Sequence, residues 1–588
     1  MAKLATPASS SNTPRSFANT HGHARSAALE AVSSRPRRKQ RRPTKQASYE
    51  LTNHAKAYLE GGQYASGYDF LYSLLAAGTS ISRPAQPYIG FLAPPAYIAF
   101  ASSMVVDPRF TTKAQSRDAA KGSNAALRYL QCVHTTLDDP AYPAIRKAFM
   151  FPRERNRRSA PSYRASASLS PQLGSDIKRI AGEAANEKSL WYRADDFWHA
   201  VGWAFNCAIK HKKRWNRWKL WLSIMLDFLE ADWDVCAKQS NQEGASDETS
   251  IQQSLLWHYI TGDETSMNRA KRRRIIRAVF ATATPESLKD YPEVWERETA
   301  EPRRKRNENQ PVGEVDFETG ELADYGSDED MQDASEDGVD ESGDETFSET
   351  SDKGIRNVHD AIERLGGQDA IELRHRLIAL LAEVAVDLPD LFTRIYDLCD
   401  NILEEFSQLP TMIFQVLLST MKLPDDIQVA FNANLLHGLI ASKPPNFFLR
   451  DPTQQDFEKT LLPLKGTTQS FAANTKISLI LEQLFMHMMK NNALAPNPAL
   501  RKAMEAGIQA RRSVYGTGKG KRGNAEEEEQ GKKLLQESSD RLLGLLEVLE
   551  MAHGKTPQWT RVKESALLSF GSGSSLSPAP DSETESED

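Results

Sequence analysis

The chain has 588 residues, 40% of them hydrophobic, and a net charge of -6; at about 150 residues per domain that length would hold roughly four domains. Stretches without apolar periodicity take up roughly 180 residues, which lowers the expectation to about two or three folded bodies. Four widely spaced cysteines, Cys132, Cys207, Cys236 and Cys399, argue against a disulfide scaffold or a cysteine-rich zinc module, and no run approaches the roughly eighteen apolar residues of a membrane span.

The small net charge conceals unlike blocks. Residues 1–50 carry ten Lys/Arg against Glu30 and Glu50, while residues 314–349 carry sixteen Asp/Glu and no Lys/Arg. The tail 581–588 adds five more acids. A mildly basic body with an acidic internal tract suits partners that are themselves charged.

In chain order, residues 1–48, rich in Ser, Pro, Ala and Arg, are expected to be a disordered basic arm. Its cluster RPRRKQRRPTK presents Arg35, Arg37, Arg38, Lys39, Arg41 and Arg42 as a candidate nuclear import signal. An N-terminal helical domain follows over 49–295, with loops near 153–172 and 237–250. It opens with helices at 49–60 and 63–77, broken at Gly61-Gly62. Through Ala57, Leu59, Gly62 and Tyr64 this hairpin resembles a single tetratricopeptide unit, which implies a helix–turn–helix; the pattern does not recur at that family's period of about 34 residues. Helices at 95–106, 117–137 and 142–150 are separated by prolines.

Seven of the ten tryptophans lie between Trp191 and Trp233. Trp191, Ala194, Trp198, Val201, Phe205 and Ile209 predict one apolar helical stripe; Trp215, Trp218, Leu222, Met225, Leu229, Trp233 and Cys236 predict a second. KHKKRWNRWK (210–219) reads as the short basic turn of a packed hairpin, with its cations at the favourable C-terminal end of the first helix. Trp191, Trp198, Trp215, Trp218 and Trp233 are accordingly expected in the core. Two further helices surround 250–262 and 266–284, the second crowded with cations.

Residues 296–353 are expected to be a disordered linker, first basic through Arg303, Arg304, Lys305 and Arg306, a second import candidate, and then acidic. In the acidic part Ser327, Ser335, Ser342 and Ser348 suit acidophilic kinases. A C-terminal helical domain spans 354–512, with helices stopped at Pro389, Pro410, Pro424 and Pro444, as in HEAT- or armadillo-like arrays. A charged linker (513–530), a last helix (531–555) and a disordered acidic tail (556–588) complete the chain. The predicted fold class is all-α, two helical domains joined by an acidic linker.

No phosphate-binding glycine loop, HExxH or GxSxG occurs. Asp195, Asp196 and His199 could share one helix face as metal ligands, but no further donor announces itself, and the simpler reading is an exposed carboxylate pair contacting His199. No catalytic, cofactor or metal residue is therefore expected. Lys210, Lys212, Lys213, Arg214, Arg217, Lys219, Arg272 and Arg273 are candidate contacts to phosphates or to an acidic partner. These features point to a non-enzymatic nuclear scaffold, or accessory subunit of a chromatin or chromosome-maintenance complex, binding proteins through helical surfaces. The alternative is an RNA- or DNA-associated factor, for example in ribosome assembly, with non-specific phosphate contacts.

Overall fold

A computed structural model describes residues 41–78, 87–152, 180–182, 184–242, 248–262, 268–300, 355, 357–423, 425–440, 447, 450, 452–516 and 525–555. Within them the chain is predominantly helical with almost no sheet. Several helices begin at side chains that can satisfy the amides orphaned in a first turn. Ser48, Ser116, Asn268, Asn357, Ser470 and Asn497 each accept from the backbone N–H three residues on. Pro95 and Pro498 stand in first turns, where a missing N–H costs nothing.

Helices Tyr49–Glu60, Tyr64–Ala76, Pro95–Val106, Arg117–Thr136 and Tyr142–Ala148 lie where periodicity and prolines place them. The expected extent of the basic arm is corrected. Strand Thr44–Gln46 pairs in parallel with Gly90–Leu92, in the register Thr44 to Gly90, so the last residues before Ser48 belong to the folded body. Short strands held by backbone hydrogen bonds leave little composition signal.

The Trp-rich region also differs from expectation. Leu190–Arg193 forms one helical turn, the chain bends at 194–196, and the long helix starts only at Phe197, running to Lys210. Only His211 separates it from Lys212–Gln242, a helix of 31 residues. The supposed basic turn is therefore mostly the opening of that helix, which also continues through the polar residues from Ala237 to Gln242.

The chain divides into two compact units. The first takes its described residues from Met1–Phe197, Asn216–Tyr259 and Val294–Glu298; the second takes them from Trp198–Trp215, Ile260–Glu293 and Thr299–Asp588. The tryptophans are thus shared between units, Trp191, Trp218, Trp221 and Trp233 in one and Trp198, Trp203 and Trp215 in the other.

In the first unit, buried indoles find the hydrogen-bond acceptors that an apolar interior demands. Trp218 Nε1 donates to the buried carboxylate of Glu298 at 2.8 Å, Trp221 Nε1 to Ser102 Oγ at 2.9 Å, and Trp191 Nε1 to the Ala99 carbonyl at 3.2 Å. Asp232, shielded from solvent, accepts from Arg146 Nε and from the Leu255 amide, each at 2.7 Å. Burial nevertheless pushes its carboxyl pKa up, against the guanidinium and the amide that pull it down.

In the second unit, Asn206 saturates both ends of its amide. Its Nδ2 donates to the carbonyls of Ser287 (3.1 Å) and Tyr291 (3.2 Å), and its Oδ1 accepts from the Ala283 amide (2.9 Å) and Ser287 Oγ (2.7 Å). Tyr291 lies flat on this helix because position 202 is glycine: a Cβ there would stand 2.3 Å from the Tyr291 ring. Ala283 adopts φ +54, a left-handed conformation that strains an L-residue. Ala283→Gly is expected to raise stability by up to about 1 kcal/mol, relief of strain being partly offset by the freer unfolded chain; an unchanged denaturant midpoint would refute the strain.

Helices Phe471–Lys490 and Ala525–Ala552 run parallel, since their contacts advance together: Thr475 Oγ1 to the Gly531 carbonyl (2.6 Å), Ser538 Oγ to Ser478 Oγ (3.1 Å), Arg541 to Glu482 (2.7 and 3.0 Å). A Cβ at Gly531 would press on the Ala472 backbone at 2.8 Å, so glycine sets the close approach. The expected linker at 513–530 is corrected in part: from Ala525 it is helix. Glu527 accepts from the Thr411 amide and hydroxyl (both 3.3 Å), and Glu528 from the Phe471 amide (2.7 Å) and Ser470 Oγ. Both carboxylates sit at helix N-termini, where the dipole favours them.

Candidate interaction surfaces

The import candidates separate sharply. Arg35, Arg37, Arg38, Lys39 and Arg303, Arg304, Lys305, Arg306 lie outside the described residues, as do the acidic tract and its four serines. Arg41 and Arg42 do not belong to a free arm. Arg41 pairs with Asp139 at 3.0 Å. Arg42 is 2% exposed; its Nη1 donates to the Ala77 carbonyl at 2.8 Å and its Nη2 to that of Leu75, closing the end of helix Tyr64–Ala76. A receptor reading Arg42 would have to open this cap, which corrects its assignment as an accessible import residue.

The cations of 210–219 also take different roles. Lys210 and Lys213 are exposed, and Lys212 pairs with Glu363 at 3.2 Å. Arg214 is only 3% exposed, which corrects its expected part in phosphate contact. Arg217, half-buried, donates to Asn124 Oδ1 at 2.7 Å, and Lys219 is half-buried. Because Lys212 and Lys213 open a helix that has no acid in its first turn, the macrodipole opposes them rather than supporting them. The expected favourable helix end holds for Lys210, in the last turn of Phe197–Lys210, and is reversed for Lys212 and Lys213.

Helix Arg269–Val279 carries its cations differently. Arg269, Arg273 and Arg277, four apart, form one stripe facing helix Ile395–Gln408. Arg273 grips Glu404 through Nε and Nη2, each at 2.9 Å; Arg269 reaches the same carboxylate at 2.8 Å, and Arg277 approaches Glu405 at 3.5 Å. Arg273 thus meets an acidic helix of its own chain. Arg272 is half-buried, and its Nε has no hydrogen-bond partner among the described residues. Exposed pairs of this sort contribute at most about 1 kcal/mol each, so Arg273→Gln is expected to leave the denaturant midpoint nearly unchanged. A large drop would show that the stripe holds the unit together.

Asp195 and Asp196 lie in the bend before the helix, whereas His199 is buried within it, its Nε2 2.9 Å from the Pro292 carbonyl. His199 itself is buried, at 4% exposure, and does not stand on an exposed helix face. Among the described residues, no cluster of three or more His, Cys, Asp or Glu could hold a metal, and no helix is long and apolar enough to cross a membrane. The five tryptophans named from sequence, Trp191, Trp198, Trp215, Trp218 and Trp233, are each at most 4% exposed.

Sequence reading missed the buried cations. Arg374, 0% exposed, donates Nε to Val279 O (2.9 Å), Nη1 to Leu365 O (2.6 Å) and Nη2 to Ala281 O (2.7 Å), and lies 4.1 Å over the Phe205 ring. Lys476, 7% exposed, donates to the carbonyls of Ser407 (3.0 Å) and Leu409 (2.8 Å) at the end of helix Ile395–Gln408. Both close helix C-termini from another helix. The signal was a charge in register with an apolar stripe, Arg374 three and four residues before Leu377 and Ile378.

Compared with protein-family models and with curated proteins, the chain matches none.

Proposed function

We propose that the protein is a non-enzymatic nuclear scaffold or accessory subunit of a chromatin or chromosome-maintenance complex. Two helical domains, the C-terminal one a HEAT- or armadillo-like array, would be joined by the acidic linker and would bind partner proteins through helical faces. The observation that carries this reading is the separation of charge along the chain, basic over residues 1–50 and acidic over 314–349, a layout suited to charged partners. The nuclear assignment rests on the basic clusters, and the reading as a non-enzyme on the sequence's lack of a catalytic motif.

The test is fractionation of nuclei with the tagged full-length chain, followed by crosslinking and mass spectrometry. Recovery with a reproducible set of chromatin proteins is expected; a protein found alone and outside the nucleus sinks the proposal. Exposed Lys210 and Lys213 favour one further reading, direct phosphate contact with RNA or DNA. It predicts affinity that falls steeply with salt and a slope flattened by about 2 on replacing both lysines with Gln; no binding at low salt removes it.

A further inference from the structure

We propose that residues 557–570 dock as an amphipathic helix, antiparallel, on an apolar face at the end of helix Ala525–Ala552 in the second unit. Near its end this helix buries one side, through Leu542, Leu546 and Leu549, and leaves another open. On the open side Val548 is 49% and Met551 52% exposed, Leu545 is half-buried, and a Cβ at Gly544 would meet nothing within 4 Å. Steps of three and four residues put these positions on one face. Helix Phe471–Lys490 runs alongside, joined through Glu482 and Arg541, and adds Met486, 36% exposed, one turn beyond Glu482. Asp540 is exposed and Glu547 half-buried beside this strip. Contiguous apolar surface rimmed by charge marks an interaction face.

The sequence that follows has the complementary pattern. Residues 556–588 lie outside the described residues, and all their acids but Glu564 fall in 581–588. Before that block, Trp559, Val562, Ala566 and Phe570 recur at three- and four-residue steps, the spacing of one helix face. Arg561 and Lys563 stand against the single acid Glu564, so the segment opposes Asp540 and Glu547 in charge.

The chain is already turned for this return. Gly554 has φ +72, its N–H donates to the Met551 carbonyl and the Lys555 N–H to the Glu550 carbonyl, each at 3.0 Å, which are the two bonds of a Schellman cap. Lys555 Nζ donates to the Pro496 carbonyl, fixing where the chain leaves, and Pro557 stops the first helix from continuing. Residues 555–558 make a connection of the length that joins antiparallel helices. With equal rise on both helices, Trp559 returns opposite Ala552, Val562 opposite Val548, and Ala566 opposite Gly544 and Leu545, a small side chain against the glycine. So short a tether holds the segment at an effective concentration on the order of millimolar, which favours it over a separate chain.

Cysteine pairs in the full-length chain test the register. Val548→Cys is combined either with Val562→Cys, on the inward face of the docked helix, or with Arg561→Cys, on its far side. Under mild oxidation, read by peptide mapping, the 548–562 pair is expected to close within one chain at least about tenfold faster than the 548–561 pair. Rates that are equal or reversed mark an undocked segment, and a disulfide between chains marks a second copy as the occupant; either overturns the proposal. Hydrogen exchange supplies a readout on the wild-type chain itself. Amides of residues 560–570 should exchange at least about tenfold more slowly than in a free peptide of that sequence, and Val548→Asp, a change at an exposed position, should return them to the free rate. Free-rate exchange in the wild type, or protection that survives V548D, also overturns it.

Discussion

Replacing Arg374 with methionine is expected to lower the stability of the second unit by about 3–5 kcal/mol, because three buried carbonyls lose their donor at once. Those carbonyls are the unpaired ends of helices Arg269–Val279 and Val358–Arg364, where no further turn supplies an N–H. Methionine fills similar volume and keeps the apolar contact over Phe205, so the loss isolates the hydrogen bonds. Burial pushes the guanidinium pKa down to about 9, which still leaves it charged at neutral pH. Arg374→Lys should recover part of the stability, since an ammonium reaches fewer carbonyls from one point. Chemical denaturation followed by circular dichroism measures both. A methionine variant as stable as wild type would mean that water or backbone movement satisfies these carbonyls.

The second large effect is alkaline. Five tyrosines of the first unit, Tyr68, Tyr97, Tyr129, Tyr142 and Tyr259, are buried, and burial is the leading cause that raises each phenol pKa. Tyr97 and Tyr142 are pushed up to about 12, and the other three also lie well above the ordinary value. Because the folded pKa exceeds the unfolded value of 10.0, each contributes stability that is fully present below pH 10. That stability is lost as pH rises through the folded pKa. Phenolate absorbance from these five is expected to appear together with loss of the near-ultraviolet tryptophan signal, between about pH 10 and 12. Their full ionisation with that signal intact would contradict the burial. Tyr68→Phe removes one of the five at the cost of its 3.0 Å bond to the Tyr97 carbonyl, about 1 kcal/mol at neutral pH. The variant should be slightly less stable at pH 7 and less sensitive to alkali.

Much of the helix layout was readable in advance, because the apolar stripes of Leu51, Ala55 and Leu59, or of Tyr68, Leu71 and Leu75, repeat at the helical period, and because Pro95 and Pro140 punctuate them. The break at 194–196 was not. The spacing of Trp191, Ala194 and Trp198 is helical, but the peptide groups between them bend, and periodicity reports side-chain spacing rather than backbone pairing. Arg42 shows the same limit for charge. Within RPRRKQRRPTK it is indistinguishable from Arg38, and only the carbonyls of Leu75 and Ala77, thirty-odd residues on, make it a cap.

The sequence by itself determined the helical class, the apolar seams, the buried tryptophans and the separation of basic from acidic blocks, all of which follow from local spacing and composition. Only the tertiary structure decided which charges are surface and which are structure. Arg42, Arg374, Lys476 and Arg511 leave water because carbonyls at or just beyond helix ends receive them. Those receiving groups come from segments far along the chain, and a charge's burial depends on what is brought to it, which no local pattern encodes.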